Sequence, residues 1–473
     1  MLSVVMAVAV AQPFVRTMAT ADEHGPCLWW EGPVLDFRQS SGGLPSVGAQ
    51  ASLAAVSAAF SSWNDAMQCS MLNVFEGPRV TTRRTGATAT GANTNLVLFR
   101  HRACSRVAPS NHACWREGTC NNTFDCWDQP SSLLGTTTVS FDAETGRIFD
   151  ADIELNGADH VFSVVDSPVC EPGAVSPRCV ANDIQNTATH EVGHFLGLGH
   201  TSATNSTMNE TSPMGERRKR SVDTGTRSFL CAAYSPDFGP DDCVTPPVAE
   251  ALGPAATAGC ASLPAGPLLM LALLVLLKRR RTAGLAASLL VAPLAHASTV
   301  RQLSLDALVE GADTIARVKV TAVHARWTPD GARIVTDVTL SVLEGWKGPG
   351  RRELLVIVPG GVVGRVGQRI EGAPRFAVGQ ELVVLLEARG DVFVPHGWSQ
   401  GLFEVSSRGA GEPLVTQQRS EAWQLSWSGT PAPTERLTLP LSALRRLVLS
   451  RAGLQGADSN RAGPFALPTQ MSR

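Results

Sequence analysis

The chain has 473 residues, room for two or three domains, and a formal net charge of −2 at pH 7. So balanced a charge offers little electrostatic attraction to nucleic acid or to an anionic surface, and no nucleic-acid partner is expected. All 11 cysteines lie between Cys27 and Cys260. The set Cys27, Cys69, Cys104, Cys114, Cys120, Cys126, Cys170, Cys179, Cys231 and Cys243 is even in number, which reads as up to five disulfides and an oxidising compartment. Cys170–Cys179 and Cys231–Cys243 are the natural local loops, and the lack of any C-x-x-C argues against a zinc ribbon. Many Ala, Gly, Arg and Pro residues beside a single tyrosine, Tyr234, carry the bias of a GC-rich bacterial genome.

The first residues, Met1 to Ala11, form an apolar run ending in Ala9-Val10-Ala11, and Ala19-Thr20-Ala21 offers a second small-x-small site before Asp22. Residues 1–21 therefore read as a secretory signal peptide, although without a basic n-region. Cys27 to Trp30 and Val34 to Phe37 read as an opening strand. A helix is expected from Val47 to Gln68, because Leu53, Val56, Phe60, Trp63 and Met67 make one apolar stripe. Leu72 to Phe75 and Asn95 to Phe99 are short strands. Residues 100–130, rich in Cys, Asn and Trp, read as a disulfide-braced surface loop in which His101 and His112 are plain surface residues.

Thr136 to Phe141 and Ile148 to Leu155 alternate apolar and polar residues about Glu144-Thr145-Gly146, the pattern of a hairpin, with Ile153 and Leu155 facing inward. Asp142, Asp150 and Asp152 are the carboxylates a structural calcium ion would draw on, but no full ligand set is readable and exposed turn carboxylates are the simpler expectation. Asn182-Asp183 reads as the cap of a helix running to Leu196.

That helix opens the stretch His190 to His200, H-E-V-G-H-F-L-G-L-G-H. His190 and His194 stand one turn apart, so both imidazoles leave the same face. Gly197 permits a sharp exit from the helix, since glycine accepts positive φ, and the turn brings His200 back. Three imidazoles with an open fourth position describe a catalytic zinc site rather than a closed structural one. Glu191, beside the first ligand, is placed to serve as general base.

These residues resemble the H-E-x-x-H-x-x-G-x-x-H motif of the metzincin zinc endopeptidases. Met208, in Ser206-Thr207-Met208, is similar to that group's Met-turn, and Thr201 after the third histidine resembles the matrixin branch. Asn209 and Glu210 follow the methionine, so the tyrosine ligand of other branches is missing. The resemblance is close from Asp183 to Tyr234 and looser back to Cys27. It implies a matrixin-like bacterial zinc endopeptidase over 22–245. Its metal ligands would be His190, His194 and His200, its catalytic base Glu191, its structural methionine Met208 and its helix-exit residue Gly197. Zn2+ is the implied cofactor, structural Ca2+ a further candidate, and a protein or peptide the substrate, paired by its main chain along an edge strand for which the second hairpin strand, Ile148 to Leu155, is the candidate. Within the family's implied terminal segment, Arg217-Arg218-Lys219-Arg220 reads as a solvated basic loop. The matrixin cysteine switch is not visible: Pro177-Arg178-Cys179 lies just before the catalytic helix and lacks the rest of that motif. The competing function class is a surface adhesin or binding protein on the same scaffold with a weak or dead site, against which the intact Glu191 argues.

Residues 246–262 form a Pro/Ala/Gly linker containing Gly259-Cys260. The segment 263–281 is a short apolar helix followed by Lys278-Arg279-Arg280-Arg281. Together they resemble a myxobacterial C-terminal surface-sorting signal, which implies membrane anchoring or sorting machinery as a partner. Residues 282–297 look like a second signal peptide or transmembrane segment. Two readings stay open: a membrane hairpin with a cytoplasmic basic turn, or two neighbouring reading frames joined. Both place the two halves outside the cytoplasm, secreted or at the cell surface. The segment 298–473 has no cysteine. Its runs Thr314 to Val323, Ile334 to Leu343, Leu354 to Pro359, Glu381 to Glu387 and Gly401 to Val405 predict a small β-barrel or sandwich, with a helix from Leu439 to Ser450. His324 and His396 are isolated, and no chemistry is readable there. The expected fold class is α+β: a metzincin-like domain of twisted mixed sheet, edge strand and long helices, then a transmembrane or sorting segment, then a small mostly-β domain.

Overall fold

The strand Val34–Gln39 begins the main sheet of the first half. Leu35, Phe37 and Gln39 alternate inward, and Phe37 lies flat on Phe60 of the first helix, ring centroids 3.5 Å apart. That helix, Ala49–Ala66, buries the predicted stripe of Leu53, Val56, Phe60 and Trp63, with Met67 just past its end. The structure is a computed structural model that describes residues 14–19, 25–88, 93–201, 203–234, 298–299, 303–407, 411–418 and 437–451. Among these, no helix is long and apolar enough to cross a membrane. The expected linker, sorting motif and second signal over 246–297 lie outside them.

Val34–Gln39 pairs in parallel with Asn73–Glu76 and with Leu96–Arg100. Leu96–Arg100 pairs in parallel with Arg147–Asn156, which in turn pairs antiparallel with Gly135–Asp142. The predicted hairpin is therefore present. The sequence resemblance pointed to its second strand, Ile148 to Leu155, as the substrate-pairing edge; the structure reverses this. Arg147–Asn156 is flanked on both sides, and the first strand, Gly135–Asp142, is the edge of this half.

The active-site helix, Ile184–Phe195, lies across the first helix and is held at three carbonyls by aromatic donors. Trp63 Nε1 donates to Thr189 O at 2.8 Å, Trp30 Nε1 to Phe195 O at 2.7 Å, and the Tyr234 hydroxyl to Leu196 O at 2.8 Å. Buried carbonyls at a helix end need partners, and each of these rings brings both apolar bulk and one donor. The last helix of this half, Thr224–Ala233, ends at Tyr234 and is stapled to the end of the first helix by Cys69–Cys231. That bond displaces the expected Cys231–Cys243 loop, because the fold brings residues 162 apart in sequence together. Cys170–Cys179 forms as expected.

Three other expectations change. Phe14 and Met18 are buried, and Val15–Arg16 pairs with Leu198–Gly199, so part of the expected 1–21 signal segment is built into the fold. Cleavage after Ala11 would keep this strand; cleavage after Ala21 would remove it. The loop 100–130 folds into three short helices, Cys104–Val107, Cys114–Glu117 and Cys120–Phe124, braced by Cys104–Cys126 and Cys114–Cys120. It is not a free surface insertion, since Cys114 and Trp115 pack against Val335, Ile357 and Val392 of the second half. Finally, Lys219 is buried, its Nζ donating to Asn209 O and Thr211 O at 2.6 Å, and Arg220 is paired with Asp183. The basic run is thus solvated at Arg217 and Arg218, as expected, and packed as a clamp at Lys219 and Arg220.

In the second half, Thr314–Trp327 pairs with Ile334–Lys347, and that strand with Glu353–Pro359. Val392–Pro395 then links Glu353–Pro359 to Glu381–Arg389, which pairs back onto Thr314–Trp327 and closes a five-stranded barrel. Val318, Leu340, Val356 and Val384 fill it. The helices Leu305–Gly311 and Leu441–Arg451 cover its outer face through Leu308, Leu444 and Val448. Tyr234→Phe should leave the Leu196 carbonyl without its donor and lower unfolding stability by about 1–3 kcal/mol, measured as a shift in denaturant midpoint at unchanged slope.

Candidate metal centre and active site

Asp183 starts the active-site helix, its Oδ1 accepting from Asn186 N at 2.8 Å. Ile184, Ala188, Val192 and Phe195 face the core, and the opposite face carries His190 and His194. The helix ends at Gly197, whose φ of +93° and close approach to the Leu28 carbonyl, 2.6 Å from where a Cβ would sit, admit glycine best. After the turn, His200 returns to the other two. The three Nε2 atoms lie 3.0, 3.0 and 3.1 Å from one another.

These nitrogens are not hydrogen-bonded to each other in any consistent way. His190 Nδ1 donates to Thr207 O at 2.8 Å and His194 Nδ1 to Leu198 O at 2.7 Å, which leaves both Nε2 atoms as lone pairs. Burial holds all three imidazoles below their ordinary pKa, hence neutral. Neutral nitrogens facing one another at this spacing suit a shared cation, and zinc–nitrogen bonds of about 2.0–2.1 Å fit within it. Among the described residues this is the one group of three or more candidate ligands gathered closely enough for a metal ion.

Asp142, Asp150 and Asp152 do not form such a group. Asp142 accepts from Glu144 N and Thr145 N in the hairpin turn. Asp150 and Asp152 are buried in a strand, not exposed on a turn, and Asp152 accepts from Leu96 N at 2.9 Å. Calcium finds no support here.

Glu191 lies next to the triad, buried, with Oε2 accepting from the Thr137 hydroxyl at 2.8 Å. Burial pushes its carboxyl up to about 7, against the pull of the Thr137 hydrogen bond and the Lys219 charge. Thr137 also donates to Glu191 O at 3.0 Å, joining the edge strand to the helix. Thr137, one of three consecutive threonines, carries no local signal of this role.

Met208 is fully buried beneath the helix, and a Cβ on Gly193 would sit 2.1 Å from its sulfur. Asp223 fixes this turn from below: it accepts from Thr207 N at 2.6 Å and caps the last helix at Thr226 N, 3.0 Å. Thr201 N donates to Met208 O at 3.0 Å. The turn thereby presents the Thr207 carbonyl that orients His190. Gly193, Lys219 and Asp223 all support the site, and none has a local sequence signal beyond its residue type.

A family model described as Matrixin matches residues 114–227, a stretch holding the edge strand, the three histidines, Glu191 and the Met208 turn. Over residues 114–227 the chain is similar to a matrixin domain. The match covers less than half of the chain and points to a zinc-dependent peptidase. Among curated proteins, none matches the chain. For Gly193→Ala, the helix-propensity gain of roughly 1 kcal/mol should be outweighed by about 1–3 kcal/mol of overpacking. The denaturant midpoint should fall, and the penalty should disappear when the substitution is made on a Met208→Ala background.

Proposed function

We propose that the first half is a zinc-dependent endopeptidase in which His190, His194 and His200 hold the ion and Glu191 is the general base. The single observation behind this is the convergence of three neutral Nε2 atoms beside a buried carboxylate. A zinc ion held there supplies Lewis acidity towards a water and a scissile carbonyl. Glu191 takes the proton from the attacking water and delivers it to the leaving amine. Thr137 keeps the carboxylate aimed through one hydroxyl. Met208 underlies the site without contributing a ligand atom, and Gly197 allows the turn that returns His200.

Action outside the cytoplasm is supported by Cys69–Cys231, Cys104–Cys126, Cys114–Cys120 and Cys170–Cys179. Anchoring or surface sorting rests on the sequence of 259–281 alone. The substrate is a protein or peptide, taken in extended form along the edge strand.

Glu191→Ala should retain one zinc per chain and lose chelator-sensitive peptide cleavage by about 10²–10⁴-fold; unchanged turnover would end the assignment. Thr137→Val should lower kcat while KM stays close to wild type, and Thr137→Ser should restore most of it, both read from steady-state cleavage of a fluorogenic peptide.

A further inference from the structure

The strand Gly135–Asp142 is an edge only within its own half. Its open side is taken by Val366–Ile370 of the second half, the inner strand of a hairpin with Gly361–Val363. The pairing is antiparallel, with Val366 opposite Asp142 and Ile370 opposite Thr138, and it continues past the strand end where Ala143 N donates to Arg365 O at 2.8 Å. One residue beyond Thr138 on the edge is Thr137, which holds Glu191. Two further on is Gly135, where a Cβ would lie 3.2 Å from Glu191 Oε1. A strand laid along this edge therefore leads to the general base, and the second half is already lying on it.

We propose that the second half is an inhibitor domain acting in cis. Its 361–370 hairpin holds the edge on which an extended polypeptide must lie to reach Glu191, and cleavage begins when the hairpin lifts. This rests on the endopeptidase reading of the first half.

Four observations carry it. First, the hairpin uses the main-chain pairing an extended substrate would use, so the two compete for the same N–H and C=O groups. Second, the site is closed: His190, Glu191, His194 and His200 are 0, 2, 5 and 3 % exposed. Third, the end of the hairpin strand and Glu371 after it hold the N-terminal segment that pairs with Leu198–Gly199, just before His200. Arg369 Nη1 donates to Met18 O at 2.6 Å, and the Glu371 carboxylate lies about the Leu198–Gly199 turn, accepting from Thr17 Oγ1 at 3.5 Å and 3.5 Å from where a Gly199 Cβ would sit. Fourth, beside the apolar contact of Cys114 and Trp115 with Val335, Ile357 and Val392, the halves are joined by ion pairs that are partly exposed: Arg84–Asp330 at 2.9 Å, Arg116–Asp391 at 2.8 Å and Arg365–Asp142 at 3.1 Å. Such pairs exchange for water at low cost, which suits a contact that opens. Cys179 offers no free thiol to the metal, since it is bonded to Cys170.

Gly367 makes the seat specific. It faces Phe141 across the ladder, and a Cβ there would lie 2.4 Å from the Phe141 ring. Its φ is not positive, so a larger residue fits the backbone, and the nearest atoms it meets are those of Phe141.

The test compares the full chain with full-length Gly367→Val. Three quantities are read: zinc content, amide exchange over residues 136–142, and chelator-sensitive cleavage of labelled casein. The expected result is one zinc per chain in both, faster exchange across the edge strand in the variant, and cleavage at least about tenfold faster. Should Gly367→Val fold poorly, the double variant Arg365→Ala/Arg333→Ala loosens the same contact without a clash, removing the Asp142 pair and the 3.1 Å Asp128 pair, and must shift both readouts in the same direction. Equal cleavage by the intact chain and by a variant whose edge strand exchanges freely overturns the inhibitor role and leaves the peptidase reading standing. No cleavage by any zinc-loaded form overturns both.

Discussion

Two hydrogen bonds from imidazole to backbone carry much of what this chain can do. Thr207 O and Leu198 O each accept from an Nδ1, and so turn the Nε2 lone pairs of His190 and His194 towards the same point as that of His200. The carbonyls come from segments that follow the helix in sequence, one from its exit turn and one from the turn at Met208. Their positions therefore depend on everything that fixes those turns. Asp223 anchors the second turn to the last helix, Cys231 ties that helix to the first, and Trp63 of the first helix grips Thr189 beside His190. The three-histidine cluster is the closing point of a loop of contacts around the first half.

The electrostatics follow from the same packing. Burial keeps the histidines neutral and raises Glu191, which is the direction that favours ligation by the first and proton uptake by the second. A bound dication would act against the rise at Glu191. Lys219, whose ammonium pKa burial lowers to about 8, clamps the carbonyls of Asn209 and Thr211 just after Met208. A cation in that place is structural: its donors hold the backbone that holds the turn.

Much of this was legible in the sequence where the signal is local. The spacing of His190 and His194, the stripe from Leu53 to Met67 and the run of β strands after Thr314 arise from periods of 3.6 or 2, while the cap at Asp183 and the Gly197 turn that returns His200 are signals of residue type. What was not legible depends on partners distant in sequence. Both strands of the 135–156 hairpin alternate alike, and only the parallel pairing of Arg147–Asn156 with Leu96–Arg100 decides which is the edge. Cys231 had a near partner on paper and a far one in space. The run from Arg217 to Arg220 reads as solvated because four basic letters hide that Lys219 points inward. Gly367 looks like any turn glycine until Phe141 is opposite it. The docking of the second half on the first has no signature in either half alone.

Everything proposed for this chain depends on three imidazoles holding zinc with its fourth coordination position left free of protein ligands. X-ray absorption at the zinc edge on the purified, zinc-loaded full chain tests it directly. The account predicts a first shell of nitrogen and oxygen only, with three imidazoles at about 2.0–2.1 Å and one of them lost in His200→Ala. Sulfur in the first shell, or a spectrum unchanged by His200→Ala, would contradict it.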